Sequence, residues 1–588
     1  MNKKLIFIEN EFHAKEYLKN KEKFKGFTPI TFNFLAEQLL EKNNIKFKLE
    51  EVYEKENMYK GVCSSSIKNA KEIIKQFPIM YKNIELMSLF FYELYILFSS
   101  SKRNLILFKE IIKKEKPKEM LAFEAKNKFF EREFGSTIIP NIFKGKIQKI
   151  KYDFPKQKSS KKEKLIKIFM FVQQILAKIL LRLAKNKNKI FALGGEQYYK
   201  KVLESLAKKN KIISFSHSIG KSFFASNTFV PHYEFKGMKI LGNKKFKKEL
   251  EKFIKIIEDS KLNKTIGMEK EIEKRVKIYL KQLIKYRFIE SCEKINEVLG
   301  VLKKQNIKLF LSSADSDPSN LIISRVAKVF GVPTIGFQHG LAPVPEMDKI
   351  SESDYFLVYG PKIKKEYLKG DYSKKKIEII GFPKCDCFKN ENKKNTKKII
   401  YAMEIGSGNR SLTPEIQLTK RKQKIILRRI FNVLKKFPDY KLIIKTRVKW
   451  DMKGLPEVIA KEEGFKNFQV IEKTNNNDLI NDCDVFLMNQ TTMGLEALIL
   501  NKPVISVSFK EYDKINPYRK IKGVPITNTE KQLEEAIKKA INETEQDVLV
   551  RRESLNKFMP TDGKASERAF KIIEEILNEK NLNKFVEL

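Results

Sequence analysis

The side chains best placed to do chemistry are one histidine, a Thr-Thr-Met-Gly stretch, and two cations in a strand-like run. His339 closes the apolar run PTIGF just after Gln338 and just before Gly340. An imidazole there could take a proton from a hydroxyl near neutral pH. Asp315 and Asp317 follow the apolar stretch Leu309–Ser313. They could share that task, or simply cap the helix expected over Asn320–Phe330. In DVFLMNQTTMGLEALILNKP (Asp484–Pro503) a strand ends at Asn489, Thr491 and Thr492 open a helix, and Gly494 would let its backbone be approached closely. Free N–H groups and the helix dipole favour an anion at such a junction, and threonine hydroxyls can hydrogen-bond phosphate oxygens. Glu496 falls in the first turn of that helix.

Lys445 and Arg447 flank Thr446 at the end of the run KLIIKTR, so in a strand both cations share a face. Gly406, Gly408 and Arg410 lie in the loop after IIYAM. Gly194-Gly195 followed by Glu196, and His217 at the end of IISFSHS, mark two further strand ends in the first half. Gln338, Gly340, Gly194, Gly195, Glu196 and His217 are the residues expected to line an acceptor cleft. Several loops converging at the carboxyl ends of parallel strands are what a phosphate-bearing ligand needs.

The elements that must position these groups alternate. Lys308–Gly340 reads as strand, helix, Gly331-Val332-Pro333 turn and strand, a βαβ unit. LIFIEN, ITFNF and the segment around Ile45–Val52 are strand-like, and LIFI is too short for a signal peptide. Helical patterns interrupt the first half over about 64–134 and 246–304, with Met87–Phe98 reading as a buried helix. Leu165–Lys185 is a basic amphipathic helix, read as packed on a sheet in preference to lying on lipid. The Lys- and Asn-rich run 390–398 marks a boundary. The fold expected is α/β, two Rossmann-like domains facing across a cleft, with helical insertions in the N-terminal half. Residues 1–389 would form the acceptor domain, and 398–588 the nucleotide-donor domain with a helical tail.

The 588 residues carry a formal charge of +46, from 118 basic and 72 acidic side chains. That excess suits polyanions or anionic lipid, although lysine is spread throughout and no nucleic-acid-binding module is recognisable. Five scattered cysteines do not make a disulfide framework and suggest a reduced, cytoplasmic compartment. No stretch reaches the ~18 apolar residues that span a bilayer.

PTIGFQHG, a strand with YG, IEIIGFP and NQTTMGLEALILNKPVI together resemble GT-B-fold sugar and polyol-phosphate transferases. The likeness is to the bacterial surface-carbohydrate and CDP-glycerol glycerophosphotransferase-like group, over roughly Lys308–Ile541. It implies a nucleotide-activated sugar on the C-terminal domain, a polysaccharide or lipid-linked acceptor on the N-terminal domain, and no cofactor or catalytic metal. His339 matches the family's His-Gly histidine, and Asn489–Glu496 the donor phosphate and ribose segment, with Glu496 on ribose hydroxyls. Where the family carries Lys-x-His-Pro, this chain has Lys445-Thr446-Arg447, a permanent cation in place of a histidine. A basic surface would also fit peripheral docking on the anionic inner face of the membrane. The alternatives are a UDP-sugar 2-epimerase, which needs more acid/base carboxylates in the cleft, and a basic nucleic-acid-binding protein on an inactive scaffold.

Overall fold

Short runs of Ile, Val, Leu and Phe between amphipathic helices form three parallel sheets and one small hairpin. In the computed structural model, residues 3–126, 133–153, 165, 189–193, 199–215, 244–304, 307–312, 318–341, 352–368, 376–391, 395–404, 418–447 and 452–579 are described. The first sheet contains β1 (Lys4–Ile8), β2 (Phe27–Thr31) and β3 (Lys48–Leu49). Beyond the hairpin β4 (Met80–Tyr81) and β5 (Ile84–Glu85), it continues with β6 (Glu119–Ala125) and β7 (Lys146–Tyr152). Its order is β3-β2-β1-β6-β7.

The second sheet is built from β8 (Lys189–Leu193), β9 (Lys211–Phe215), β10 (Ile307–Ser312), β11 (Thr334–Phe337), β12 (Tyr355–Val358) and β13 (Lys376–Ile379), in the order β13-β12-β11-β10-β8-β9. The third holds β14 (Lys398–Ala402), β15 (Lys441–Lys445), β16 (Phe468–Ile471), β17 (Val485–Met488), β18 (Val504–Val507) and β19 (Ile526–Thr527), ordered β16-β15-β14-β17-β18-β19. That last order is the doubly wound Rossmann arrangement.

The α/β class and the paired Rossmann-like units therefore stand, carried by the second and third sheets. Residues 1–389, expected as one domain, hold two separate sheets. The strand-like runs at the start of the chain pair with one another and, through β1, with β6, which lies inside the tract expected to be helical, and with no strand of the second sheet. Periodicity marks a strand but not its partners, which are set by contacts distant in sequence. The helical interruptions are present. Phe91–Glu115 is a helix of 25 residues, buried around most of its circumference, including the polar run Ser99–Asn104. Helices Lys244–Asp259, Glu273–Gln282 and Phe288–Lys304 make up the second tract. The proposed helix Leu165–Lys185 lies outside the described residues apart from Leu165. Among the described residues no helix is long and apolar enough to cross a membrane.

One apolar core joins the second and third sheets, bringing Phe356 and Val358 together with Ile400, Ala402 and Phe486. Helix Ala565–Glu579 then returns to the second sheet, where Ala569 and Ile573 pack near Leu309 and Ile335. Its start is held by Asp386, which accepts from the Ala565 and Ser566 N–H groups at 3.2 and 2.6 Å. The N-terminal domain is bound to the C-terminal one by a buried ion network. Lys420 reaches Glu37 and, at 2.8 Å, Glu50, and Lys424 reaches Glu51 at 2.8 Å.

In the first sheet, the crevice between β1 and β6, where the strand order reverses, is occupied by the domain's own side chains. Glu9 accepts from the Phe134 and Gly135 N–H groups at 2.8 and 3.1 Å. His13 Nε2 lies 3.0 Å from Glu133, which also accepts from the Tyr152 hydroxyl. Burial pushes the Glu9 carboxyl up to about 8, against the pull of those two N–H groups. The native state thus holds a proton that the unfolded chain gives up in the ordinary glutamate range. Glu9 stabilises fully below that range and loses its contribution as pH rises through about 8. Glu9→Gln is expected to flatten this part of the stability profile, so that urea midpoints of variant and wild type diverge most between pH 5 and 8.

Candidate active site

His339 is carried on a short turn after β11, and its neighbours build that turn. Gln338 is buried, donates to the Gly340 carbonyl at 2.8 Å and accepts from the Tyr359 N–H at 2.8 Å. The Tyr359 hydroxyl accepts from the Gly340 N–H at 3.2 Å and donates to the Gln338 carbonyl at 3.1 Å. Gln338, expected to line the cleft, is consumed in shaping the loop. Gly340 has φ of +83°, and a Cβ there would stand 2.9 Å from Thr492 Oγ1. The next residue, Leu341, donates its N–H to that same oxygen at 3.2 Å. So the carboxyl ends of β11 and β17 meet, and the histidine loop rests on the Thr492 hydroxyl.

Arg447 lies two residues beyond β15 and is exposed, with no hydrogen bond or ion pair among the described residues. Its charge is nonetheless felt by three groups. Desolvation, and next the Arg447 charge, hold the His339 imidazole below its usual range, although the residue is exposed at the surface. Burial pushes Glu404 up to about 7, with Arg447 pulling the other way. Burial and then Arg447 lower Lys445. Lys445 does not extend beside Arg447 toward a ligand, because its ammonium is held by the carbonyls of Thr446 and Glu472 at 2.9 and 2.8 Å. Of the two strand-end cations, only Arg447 makes no hydrogen bond or ion pair among the described residues. Glu404, two residues past β14, was not singled out in the sequence. Only burial distinguishes it from other loop carboxylates.

The Asn489–Glu496 segment is more structural than its composition suggests. The free side of Gly494 is filled by Tyr518, whose hydroxyl would lie 2.6 Å from an added Cβ and donates to the Thr491 carbonyl at 2.6 Å. Close packing of that ring accounts for the glycine. Glu496 is buried and engaged by Lys384 from the second-sheet domain and by Asn476 at 2.9 Å. This ion pair bridges the domains. The helix it belongs to, Met493–Ile499, has only 7 residues. Thr491 Oγ1 accepts from the Met493 N–H at 3.4 Å, a weak local cap.

Polar atoms next to this segment are short of partners. Asn489 donates to the Val507 carbonyl at 2.8 Å, but its Oδ1 is buried and unpartnered among the described residues. Both amide atoms of Gln490, the Ser508 hydroxyl and Glu404 Oε2 are in the same position. An orphaned buried group costs about 1–3 kcal/mol, so a concentration of them at the ends of β14, β17 and β18 fits a surface built for a polar ligand. Gln490 lies inside the Asn489–Glu496 segment, but its side chain is distinguished only by its buried, unpartnered amide among the described residues. Asp315, Asp317, Gly406, Gly408, Arg410, Gly194, Gly195, Glu196 and His217 lie outside the described residues. Among the described residues no three His, Cys, Asp or Glu side chains come together as metal ligands.

No protein-family model matches the chain, and no curated protein matches it. Among solved structures it is similar to UDP-GlcNAc 2-epimerase from Neisseria meningitidis bound to UDP-GlcNAc, at 14% identity and a TM-score of 0.40, over 67% of this chain and 99% of that one. It is also similar to Acinetobacter baumannii MurG, at 10% identity and a TM-score of 0.38, over 66% and 99%. The wall teichoic acid polymerase TagF with CDPG aligns at 14% identity and a TM-score of 0.35, over 72% of this chain and 100% of that one.

Proposed function

We propose that the chain is a metal-independent glycosyltransferase, moving a sugar or polyol phosphate from a nucleotide-activated donor to a polysaccharide or lipid-linked acceptor. The observation that carries this reading is Arg447. It is a cation with no hydrogen bond or ion pair among the described residues, its charge felt by His339 and Glu404, near polar atoms that lack partners among the described residues, where the carboxyl ends of the second and third sheets meet.

In the proposed reaction the acceptor hydroxyl oxygen forms a bond to the sugar carbon, or to phosphorus in polyol-phosphate transfer. The bond from that atom to the nucleotide phosphate breaks, and its electron pair leaves with the phosphate. His339, whose pKa desolvation and the Arg447 charge hold below the usual histidine range, takes the hydroxyl proton. Arg447 meets the charge growing on the departing phosphate. The Thr492 hydroxyl accepts from Leu341 and keeps its own proton to donate to a phosphate oxygen.

Glu404 supplies the additional cleft carboxyl that a 2-epimerase would require, so product analysis separates the two readings. Incubated with a nucleotide sugar alone, an epimerase changes the sugar, whereas a transferase leaves it intact until an acceptor is added. For the transferase, the rate is expected to fall on the acid side only below the ordinary histidine pKa of about 6.5, because His339 must be neutral and its pKa is depressed. An acid limb centred above 6.5, or turnover to an epimer without acceptor, would contradict it.

A further inference from the structure

A second cavity, of about 870 Å³, lies between the N-terminal domain and the third sheet. One wall is the segment 54–60; the other comes from the start of helix Lys420–Leu434 and from residues just past β18 and β19. It is thus at a carboxyl sheet edge, where α/β folds take ligands. Its walls do not depend on a ligand to hold them together, because the buried Lys420 and Lys424 network binds the two domains alongside.

The charge of this cavity is one-sided. Cations outnumber carboxylates six to three along its lining. Two of those carboxylates are already committed, Glu54 to Arg103 at 2.9 Å and Glu511 to Lys422, and among the cations Lys55 pairs with Glu110 outside the cavity lining. Lys60, Lys510 and Lys514 are exposed and make no hydrogen bond or ion pair among the described residues. Asn528 Oδ1, also in the lining, is buried without a partner. The aromatic rings are not free to stack on bases, since Lys422 lies over Tyr512 at 4.4 Å and Arg429 over Phe509 at 5.3 Å. A ligand here would be read through its negative charge and hydroxyl groups.

We propose that this cavity binds a phosphate-bearing saccharide, with phosphate groups on Lys60, Lys510 and Lys514 and a hydroxyl on Asn528. Resting on the transferase reading, it would hold a section of an anionic acceptor chain away from the reacting end. Lysines at separate points on the rim suit a chain with charges at intervals better than one compact anion.

The test uses the full chain and fluorescent dextran phosphate, with neutral dextran and oligo(dT) as comparisons. A cavity triple variant (Lys60→Glu, Lys510→Glu, Lys514→Glu) is set beside a surface triple (Lys71→Glu, Lys461→Glu, Lys557→Glu), whose lysines are exposed elsewhere. Dextran phosphate is expected to bind the wild type and the surface triple alike, and the cavity triple about tenfold or more weakly, as lost phosphate contacts dictate. Neutral dextran should not bind. Equal losses in both triples, no binding to the wild type, or tighter cavity-dependent binding of oligo(dT) would overturn the proposal. Nucleotide-sugar binding, measured separately, should be unchanged in the cavity triple, so failure here is distinguishable from failure of the transferase reading.

Discussion

Arg447→Ala is expected to lower the transfer rate by about 10²–10³-fold, the cost of removing one preorganised donor from a developing oxyanion. The size of the effect follows from how little else Arg447 does. It is exposed and makes no hydrogen bond or ion pair among the described residues, so its loss breaks no such bond among them. Lys445, the neighbouring cation, cannot substitute while the Thr446 and Glu472 carbonyls hold its ammonium. The melting temperature should stay at the wild-type value, and Arg447→Lys should recover part of the rate, since charge without the planar fork remains. The variant should also raise the pKa of His339, because one cause of its depression is removed. An NMR titration of the imidazole would read that shift. A variant that melts early would instead assign Arg447 to the fold.

Lys420→Ala is expected to be the most damaging single change to stability, at about 3–5 kcal/mol, the usual cost of stranding buried charge. Lys420 is buried with Glu37 and Glu50, and Glu51 lies 3.9 Å away. Burial opposes its charge, yet Glu50, Glu37 and Glu51 together hold it protonated above the usual lysine range. Burial already pushes Glu50 up to about 7 while Lys420 pulls it down. Without the ammonium, Glu50 would be raised further above its unfolded value. Groups raised in this way stabilise at low pH and lose that contribution as pH rises through the folded pKa. The variant should therefore be closest to wild type near pH 5 and furthest from it near pH 8, in chemical denaturation followed at both. Equal losses at both pH values would mean the network is not the source of the effect.

Much of this architecture could be read from residue types. The βαβ unit ending at His339, the alternation after residue 398 and the helical tracts all follow from periodicity and turn residues, which are local. What escaped was set by distance. Nothing in LIFIEN or ITFNF says that these strands form a sheet of their own, since a strand's partners are chosen by the rest of the chain. Glu404 and Gln490 look like ordinary loop polar residues until burial raises one carboxyl and leaves the other side chain without partners. Lys420 looks like one cation among many until Glu37 and Glu50 close around it. The reverse error has the same origin. Gly494 and Glu496 suggested ligand contact by their position at a helix start, but Tyr518 fills the space at one, and Lys384 and Asn476 occupy the other.

The central claim, a nucleotide-activated donor held at the meeting of the second and third sheets, is most directly tested by calorimetric titration. CMP-, CDP-, UDP-, GDP- and dTDP-linked compounds would be titrated into the wild type and into Arg447→Ala. The account predicts that one nucleotide class binds the wild type and that the variant, equally well folded, binds it at least about tenfold more weakly, the loss of one charge-assisted phosphate contact. Binding of no class, or equal binding by both proteins, would contradict it.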